Sequence, residues 1–183
     1  MGNITAVRNE ENIKQSLYYY LNNETYSGAG LGTTFSSKTL KQHYTDPQVN
    51  IVVGFPDALQ DVQIPTIALV TNSAGPVVDL AYNRQIQQIS YSFSLYGFCG
   101  GMQSDPMNKL QRGRIKNDVR YMLEDVEYID LYIYPDFTTS DGNIEITNVT
   151  VRDIPETGPL VAEKNRFIID FDVNLIKDDY YEV

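Results

Sequence analysis

The sequence predicts an α+β fold, with a mostly antiparallel or mixed β-sheet and two main helices packed on one face. Three observations lead to this prediction: strands with a period of two, a well-capped helix between them, and an amphipathic helix near the N-terminus. The clearest alternation lies in residues 85–97, where Ile89, Tyr91, Phe93 and Leu95 share one parity and serines share the other. Such alternation gives a strand one buried and one polar face. The order helix, strands, helix, strands is typical of α+β domains.

The first helix is predicted over residues 9–22. Asn9 is suited to cap its N-terminus, and Glu10 and Glu11 suit the positive end of the helix dipole. Its apolar residues recur at helical spacing on one face: Ile13, Leu17, Tyr20 and Leu21.

Residues 23–48 are predicted to be rich in loops. The Gly- and Ser/Thr-rich stretch 27–34 predicts a loop, and residues 36–44 predict one further helical turn. Short apolar strands follow at residues 49–53 and 64–70. Residues 77–82, after Gly75-Pro76, predict either a short edge strand or the arm of a hairpin that reaches away from the core.

The second helix is predicted over residues 107–124 and has the strongest start signal. Asp105 stands at the cap position and Pro106 at the first helical position, where its missing N–H costs nothing. Its core-facing residues recur at spacings of four, three and four: Ile115, Val119, Met122 and Val126. Alternating strands are predicted over residues 128–134, 143–151 and 167–175, with a turn at Asp141-Gly142.

The composition indicates one domain over residues 1–183, with a core sheet and helix over residues 49–176 and an acidic tail over residues 177–183. The net charge of −10 repels nucleic acid on average, although DNA can pass such a surface without binding. One cysteine cannot form an internal disulfide, and no stretch reaches membrane-spanning length. We therefore expect a soluble protein of the cytosol that needs no membrane.

No catalytic residue, cofactor site or metal site is predicted. His43 and Cys99 are the only residues of their types, and their positions favour a surface imidazole and an inert buried thiol over a nucleophilic pair. The glycines Gly28, Gly30 and Gly32 follow a helix and lack the spacing of a phosphate-binding loop.

Acidic residues gather near the end of the second helix. Their spacing does not match a calcium-binding loop, so solvated turns are favoured over a cation site. The residues concerned are Glu124, Asp125, Glu127, Asp130, Asp136 and Asp141.

A basic stripe on the second helix is the strongest candidate for a contact surface. Lys109, Arg112, Lys116 and Arg120 lie three, four and four residues apart and share one helical face. Two interpretations stay open: a solvated face with local ion pairs, or a contact to the acidic surface of a neighbouring copy.

Several segments carry a family resemblance. They are residues 64–70, the strand that ends at Leu95-Tyr96-Gly97, the helix that begins at Asp105-Pro106, and residues 148–155 and 162–167. Over residues 64–176 the chain resembles tail terminator proteins (also called tail-completion or neck proteins) of tailed bacteriophages. The resemblance implies a virion subunit, assembled in the host cytoplasm, that forms a ring, typically a hexamer. Such a ring caps the tail tube, docks to the head-side connector and lets DNA pass without specific binding.

The leading hypothesis is therefore a structural, non-enzymatic ring subunit. The predicted subunit contacts are the basic stripe and the segment with Val77, Val78, Leu80 and Tyr82. Two alternatives stay open: another phage neck or baseplate subunit, and a monomeric ligand-binding domain that uses a tyrosine-rich sheet face.

Overall fold

A computed structural model describes residues 10–25, 29–30, 33–34, 38–44, 48–54, 65–80, 86–98, 106–132, 140–153 and 166–178. The helices in these ranges are α1 (Glu10–Asn23), α2 (Leu40–His43) and α3 (Pro106–Glu124). The strands are β1 (Ala29–Gly30), β2 (Thr33–Thr34), β3 (Asn50–Val53), β4 (Thr66–Asp79), β5 (Ile86–Phe98), β6 (Tyr128–Tyr132), β7 (Ser140–Asp153) and β8 (Arg166–Asp178).

Strands β3 to β8 form one mixed sheet in the order β3-β4-β5-β8-β7-β6. Only the β3–β4 pair is parallel, and the other neighbours are antiparallel. The α+β prediction is confirmed. The pair β1–β2 forms a separate two-stranded sheet, so the loop prediction for residues 27–34 missed a minimal hairpin.

One face of the sheet carries the main hydrophobic core, and α1 and α3 both contribute to it. Cross-strand partners such as Phe93 and Phe171 stack there with ring centroids 5.8 Å apart. The hydroxyl of Tyr20 on α1 donates to the carbonyl oxygen of Met122 on α3 at 2.7 Å, which ties the two helices together. The fully buried residues of the two helices include Ile13, Leu17, Leu21, Ile115, Val119 and Met122.

Strand β4 joins two segments that the sequence predicts as separate strands. The expected break after residue 70 does not occur, because two register shifts interrupt the alternation while β4 stays paired with β5. One shift lies between Thr71 and Ser73, and the other lies between Ala74 and Val77, around Gly75-Pro76. Each shift adds one residue to β4, which is the signature of a β-bulge. Residues 77–79 are therefore the end of β4.

A third bulge lies in β7, between Thr147 and Thr150. Asn148 adopts a φ of 55° at this point, a conformation that asparagine tolerates better than most residues. Its side-chain amide donates to Asp172 on β8 at 2.8 Å.

Strand β7 also begins before the predicted turn at Asp141-Gly142, with Gly142 at a φ of 104°.

The outer face of the sheet is not polar along its whole length. Ala68, Phe98 and Ile168 point away from the main core by the register of their strands, yet at most 6% of each is exposed. The guanidinium of Arg166 lies 5.4 Å from the centre of the Phe98 ring. The alternation of β8 predicts one buried and one polar face. This prediction holds for the outer face only beyond Ile168.

Replacing glycine by alanine is expected to have opposite effects on the free energy of unfolding at two positions, Gly97 and Gly113. Gly97 pairs with Phe167, and a Cβ at this position would overlap the Phe167 ring. Gly113 lies within α3 and has open space around the position of a Cβ. We expect Gly97→Ala to lower the free energy of unfolding by about 1–3 kcal/mol. Gly113→Ala should raise it by about 0.5–1 kcal/mol, because alanine favours the helix.

Urea unfolding followed by circular dichroism measures both changes. Phe167→Leu in the Gly97→Ala background should recover part of the loss, since the smaller side chain makes room for the methyl group. Equal effects of the two glycine substitutions would contradict the close contact between Gly97 and Phe167.

Candidate subunit interface

Among the described residues, most of β4 has an open edge. β3 pairs only with the first four residues of β4, from Thr66 to Leu69. Beyond Leu69, β4 pairs with β5 on one side, and no strand in the described ranges pairs with its other side. An open edge presents backbone N–H and C=O groups that can pair with another chain. The second half of β4 is therefore a surface at which a further strand can add.

The open part of β4 also exposes apolar side chains. Val77 is 53% exposed, Val78 is 50% exposed, and Leu80, directly after the strand, is 50% exposed. Val77 and Val78 are adjacent in an extended strand, so they point to opposite faces of the sheet. Tyr82, predicted as part of this segment, lies outside the described residues. We call Val77, Val78 and Leu80 the β4 apolar edge.

Within the basic stripe, two cations pair with carboxylates of the same chain. Lys116 donates to both carboxylate oxygens of Asp153 on β7, at 3.0 and 2.9 Å. Arg120 donates through Nε to Glu124, one helical turn away, at 2.7 Å. The Glu124 carboxylate raises the pKa of Arg120 further above its ordinary value. These contacts agree with one of the two interpretations of the stripe, a face with local ion pairs.

Of the other two members of the stripe, only Arg112 has a side chain within the described part, and it forms no ion pair there. Arg112 is partly buried, and its Nε has no hydrogen-bond partner among the described residues. Lys109 lies in α3, but its side chain lies outside the described part. Arg114, on another face of α3, is exposed. A subunit contact through this helix would therefore use Arg112 or Arg114 more readily than Lys116 or Arg120.

The outer face of the sheet carries a hydrogen-bonded polar network around Asp170. Ser94 and Arg152 both donate to the Asp170 carboxylate, with Arg152 Nε at 2.9 Å. Asn72, at the first bulge of β4, donates to Ser94 Oγ at 2.7 Å. Ser94 is only 1% exposed, so this serine is a structural part of the network.

The network continues along β5, β7 and β8. Ser90 donates to Asn174 at 2.7 Å, and Asn174 donates to Glu145 at 3.1 Å. Glu145, Asp170 and Asp172 give this face more negative than positive charge, although Arg152 and Arg166 partly offset it. This part of the outer face is therefore ordered and acidic, unlike the end of the same face that holds Ala68, Phe98 and Ile168.

A cleft of about 420 Å³ lies at the opposite edge of the sheet, along β6. Its walls are the C-terminal end of α1, the segment after α3, and β6 itself. Asp125 and Asp130 from the predicted acidic group line it, together with Glu24 and several tyrosines. The sequence pattern identified these acids but placed them in solvated turns, because nothing local shows that α1 packs beside them.

Most of the remaining candidates from the sequence lie outside the described residues. His43 lies edge-on to Tyr44, with ring centroids 4.9 Å apart, while Cys99 and Gly28 lie outside the described residues. The described ranges contain no group of three or more His, Cys, Asp or Glu side chains placed to hold a metal ion. They also contain no helix that is both long and apolar enough to cross a membrane.

The Lys116–Asp153 pair has a measurable consequence for any test of the basic stripe. Lys116→Glu would place two carboxylates side by side, and we expect it to lower the free energy of unfolding by about 1 kcal/mol. The double variant Lys116→Glu/Asp153→Lys should restore most of this stability. Urea unfolding of the single and double variants measures the coupling between the two side chains.

Lys38→Glu is the control, because it makes the same charge reversal at an exposed lysine outside the basic stripe. We expect it to change the free energy of unfolding by less than about 0.5 kcal/mol. Equal losses in Lys38→Glu and Lys116→Glu would show that the pair with Asp153 does not stabilise the chain.

No protein-family model matches the chain, and no curated protein matches it. The resemblance to tail terminator proteins stays a prediction.

Proposed function

We propose that this protein is a structural subunit of a tailed-bacteriophage virion that assembles with copies of itself into a ring at the head–tail junction. The observation that carries the proposal is the open, apolar edge of β4. The resemblance over residues 64–176 supplies the phage assignment, the hexameric ring, and the two partners, the tail tube protein and the head-side connector. The location in the virion belongs to the same proposal.

The β4 edge supports self-assembly because isolated proteins normally protect such edges. Charged residues, prolines, short strands or covering loops usually block the unpaired backbone groups. Here two bulges, Pro76 and Asp79 give β4 part of this protection, yet Val77 and Val78 stay exposed in its open part. β-Branched side chains favour extended pairing. A strand of a second subunit would bury both the backbone groups and the valines.

A ring further requires that each subunit use two different surfaces. A contact between two copies of the same edge would close a dimer, whereas a head-to-tail contact closes a ring when the rotation permits. The β4 apolar edge and the β6 edge lie at opposite sides of the sheet, so one subunit has two distinct surfaces available. The exposed Arg114 and the acidic outer face provide charges of opposite sign for orienting neighbours.

The polar outer face of the sheet supports a role in which DNA passes without binding. Its acidic side chains would repel phosphate groups if this face lined the ring channel. The hydrogen bonds of Asp170 and Asn174 would hold the lining in place.

Another neck or baseplate subunit would use the same surfaces, so the contact to the tail tube is what distinguishes a terminator.

A monomeric ligand-binding domain is the second candidate function. The cleft of about 420 Å³ along β6 favours it, because its volume lies in the range of small-molecule sites. The two functions predict different masses in solution.

The solution mass tests the proposal directly. We expect light scattering coupled to size-exclusion chromatography to give a multiple of the 20.8 kDa chain mass. Val78→Lys should shift the protein to the monomer while leaving its circular dichroism nearly unchanged, because a lysine at an edge blocks strand addition.

Gln15→Lys is the control: it introduces the same charge on α1, away from the edges of the sheet, where Glu11 can accept from the new ammonium as it accepts from Gln15. It should leave the oligomer intact. A monomeric wild-type protein, both alone and with tail tubes, would contradict the ring. An oligomer that resists Val78→Lys would contradict the role of the β4 apolar edge.

A further inference from the structure

The cleft along β6 combines aromatic walls with carboxylates, and its described lining residues carry a single sign of charge. Glu24, Asp125 and Asp130 line it from three different elements of the chain. None of the described lining residues is a lysine, an arginine or a histidine. Carboxylates that gather in one cleft create a negative potential inside it. The chemistry of the walls therefore selects for a cation and against an anion.

Tyrosine rings form the aromatic part of the walls. Tyr19 on α1 and Tyr132 on β6 pack against each other, with ring centroids 5.0 Å apart and planes inclined at 60°. Tyr128, at the start of β6, is 52% exposed and lines the same cleft. The face of an aromatic ring attracts a cation, and inclined rings offer faces in more than one direction.

The position of Asp130 joins the carboxylates to the rings. The hydroxyl of Tyr132 donates to the Asp130 carboxylate at 3.3 Å, so this acid lies next to the ring pair. Burial, followed by the negative charge of Asp130, raises the pKa of Tyr132 above its ordinary value, and Glu24 contributes to the same shift. The charges at the rim thus act on the tyrosines within the cleft.

We propose that this cleft binds an organic cation, specifically an ammonium or guanidinium group carried on an alkyl chain. The carboxylates pair with the charged group, and the rings of Tyr19, Tyr128 and Tyr132 hold the group and its apolar stem. The volume of about 420 Å³ accommodates a group of the size of a lysine or arginine side chain. The site goes beyond the proposed ring function and does not depend on it.

Titration of the full chain with n-butylguanidinium tests the site, with n-butylurea as a neutral probe of nearly the same shape. Calorimetry measures binding, and the backbone amide signals of residues 128–132 locate it. We expect the guanidinium to bind with shifts confined to the cleft, to weaken as salt is raised, and to outcompete the urea. Equal binding of the two probes, or no shift in β6 in either the wild-type protein or Val78→Lys, would overturn the proposal.

Substitutions of single carboxylates identify the residues that hold the cation. Asp130→Asn and Glu24→Gln should each weaken n-butylguanidinium binding by about two- to fivefold, as expected for one exposed ion pair. Glu10→Gln makes the same change at the far end of α1 and should leave the affinity unchanged. Equal losses in all three variants would assign the effect to net charge and overturn the site.

The source of the cation, a free molecule or a basic side chain of a neighbouring copy, is decided by comparing two forms of the protein. Equal affinity for n-butylguanidinium in wild-type protein and in Val78→Lys indicates a cleft that is open to free cations. Binding that appears only in the dissociated Val78→Lys form indicates that a neighbouring subunit occupies the cleft in the assembly. Absence of binding in both forms would overturn the proposal, whatever the mass measurement shows for the ring.

Discussion

The structure depends on the pairing of β5 with β8 at the centre of the sheet. These two strands pair along their full lengths, from Ile86 opposite Asp178 to Phe98 opposite Arg166, without a register shift. A slip by one residue would move every core side chain of a strand to the other face. Phe93 and Phe171 stack at the middle of the pair and fix this register in the core. Their neighbours β4 and β7 both contain bulges, so the irregular parts of the sheet are arranged around a regular centre.

The two faces of this central pair have different roles because their side chains differ. The inner face is apolar and is covered by α1 and α3, which removes it from contact with other proteins. Much of the outer face is built from serine, asparagine and aspartate side chains that bond to one another across strands. A face of this kind satisfies its own hydrogen bonds and remains stable in contact with water. The apolar surface of the sheet left for association is therefore concentrated at its edges.

The two edges of the sheet carry different chemistry. The β4 apolar edge presents backbone groups and valines, which suit a strand of another subunit. The β6 edge faces a cleft with tyrosines and carboxylates, which suits a cation. An assembly that used both would join unlike surfaces, and unlike surfaces are what a closed ring of identical subunits requires. The proposed ring and the proposed cation site thus follow from one arrangement of strands, although each can fail without the other.

The sequence by itself determined the α+β class, both long helices and the parity of the central strands. Local periodicity carries that information, as in the alternation through Tyr91 and Phe93 and in the helical spacing of Ile115 and Val119. Only the tertiary structure decided that residues 66–79 form one strand, because bulges hide continuity from a period-two pattern. It also decided that Lys116 pairs with Asp153 and that Glu24 meets Asp130 in one cleft. Residues so far apart in the chain meet through packing, and no local pattern of residues encodes such a meeting.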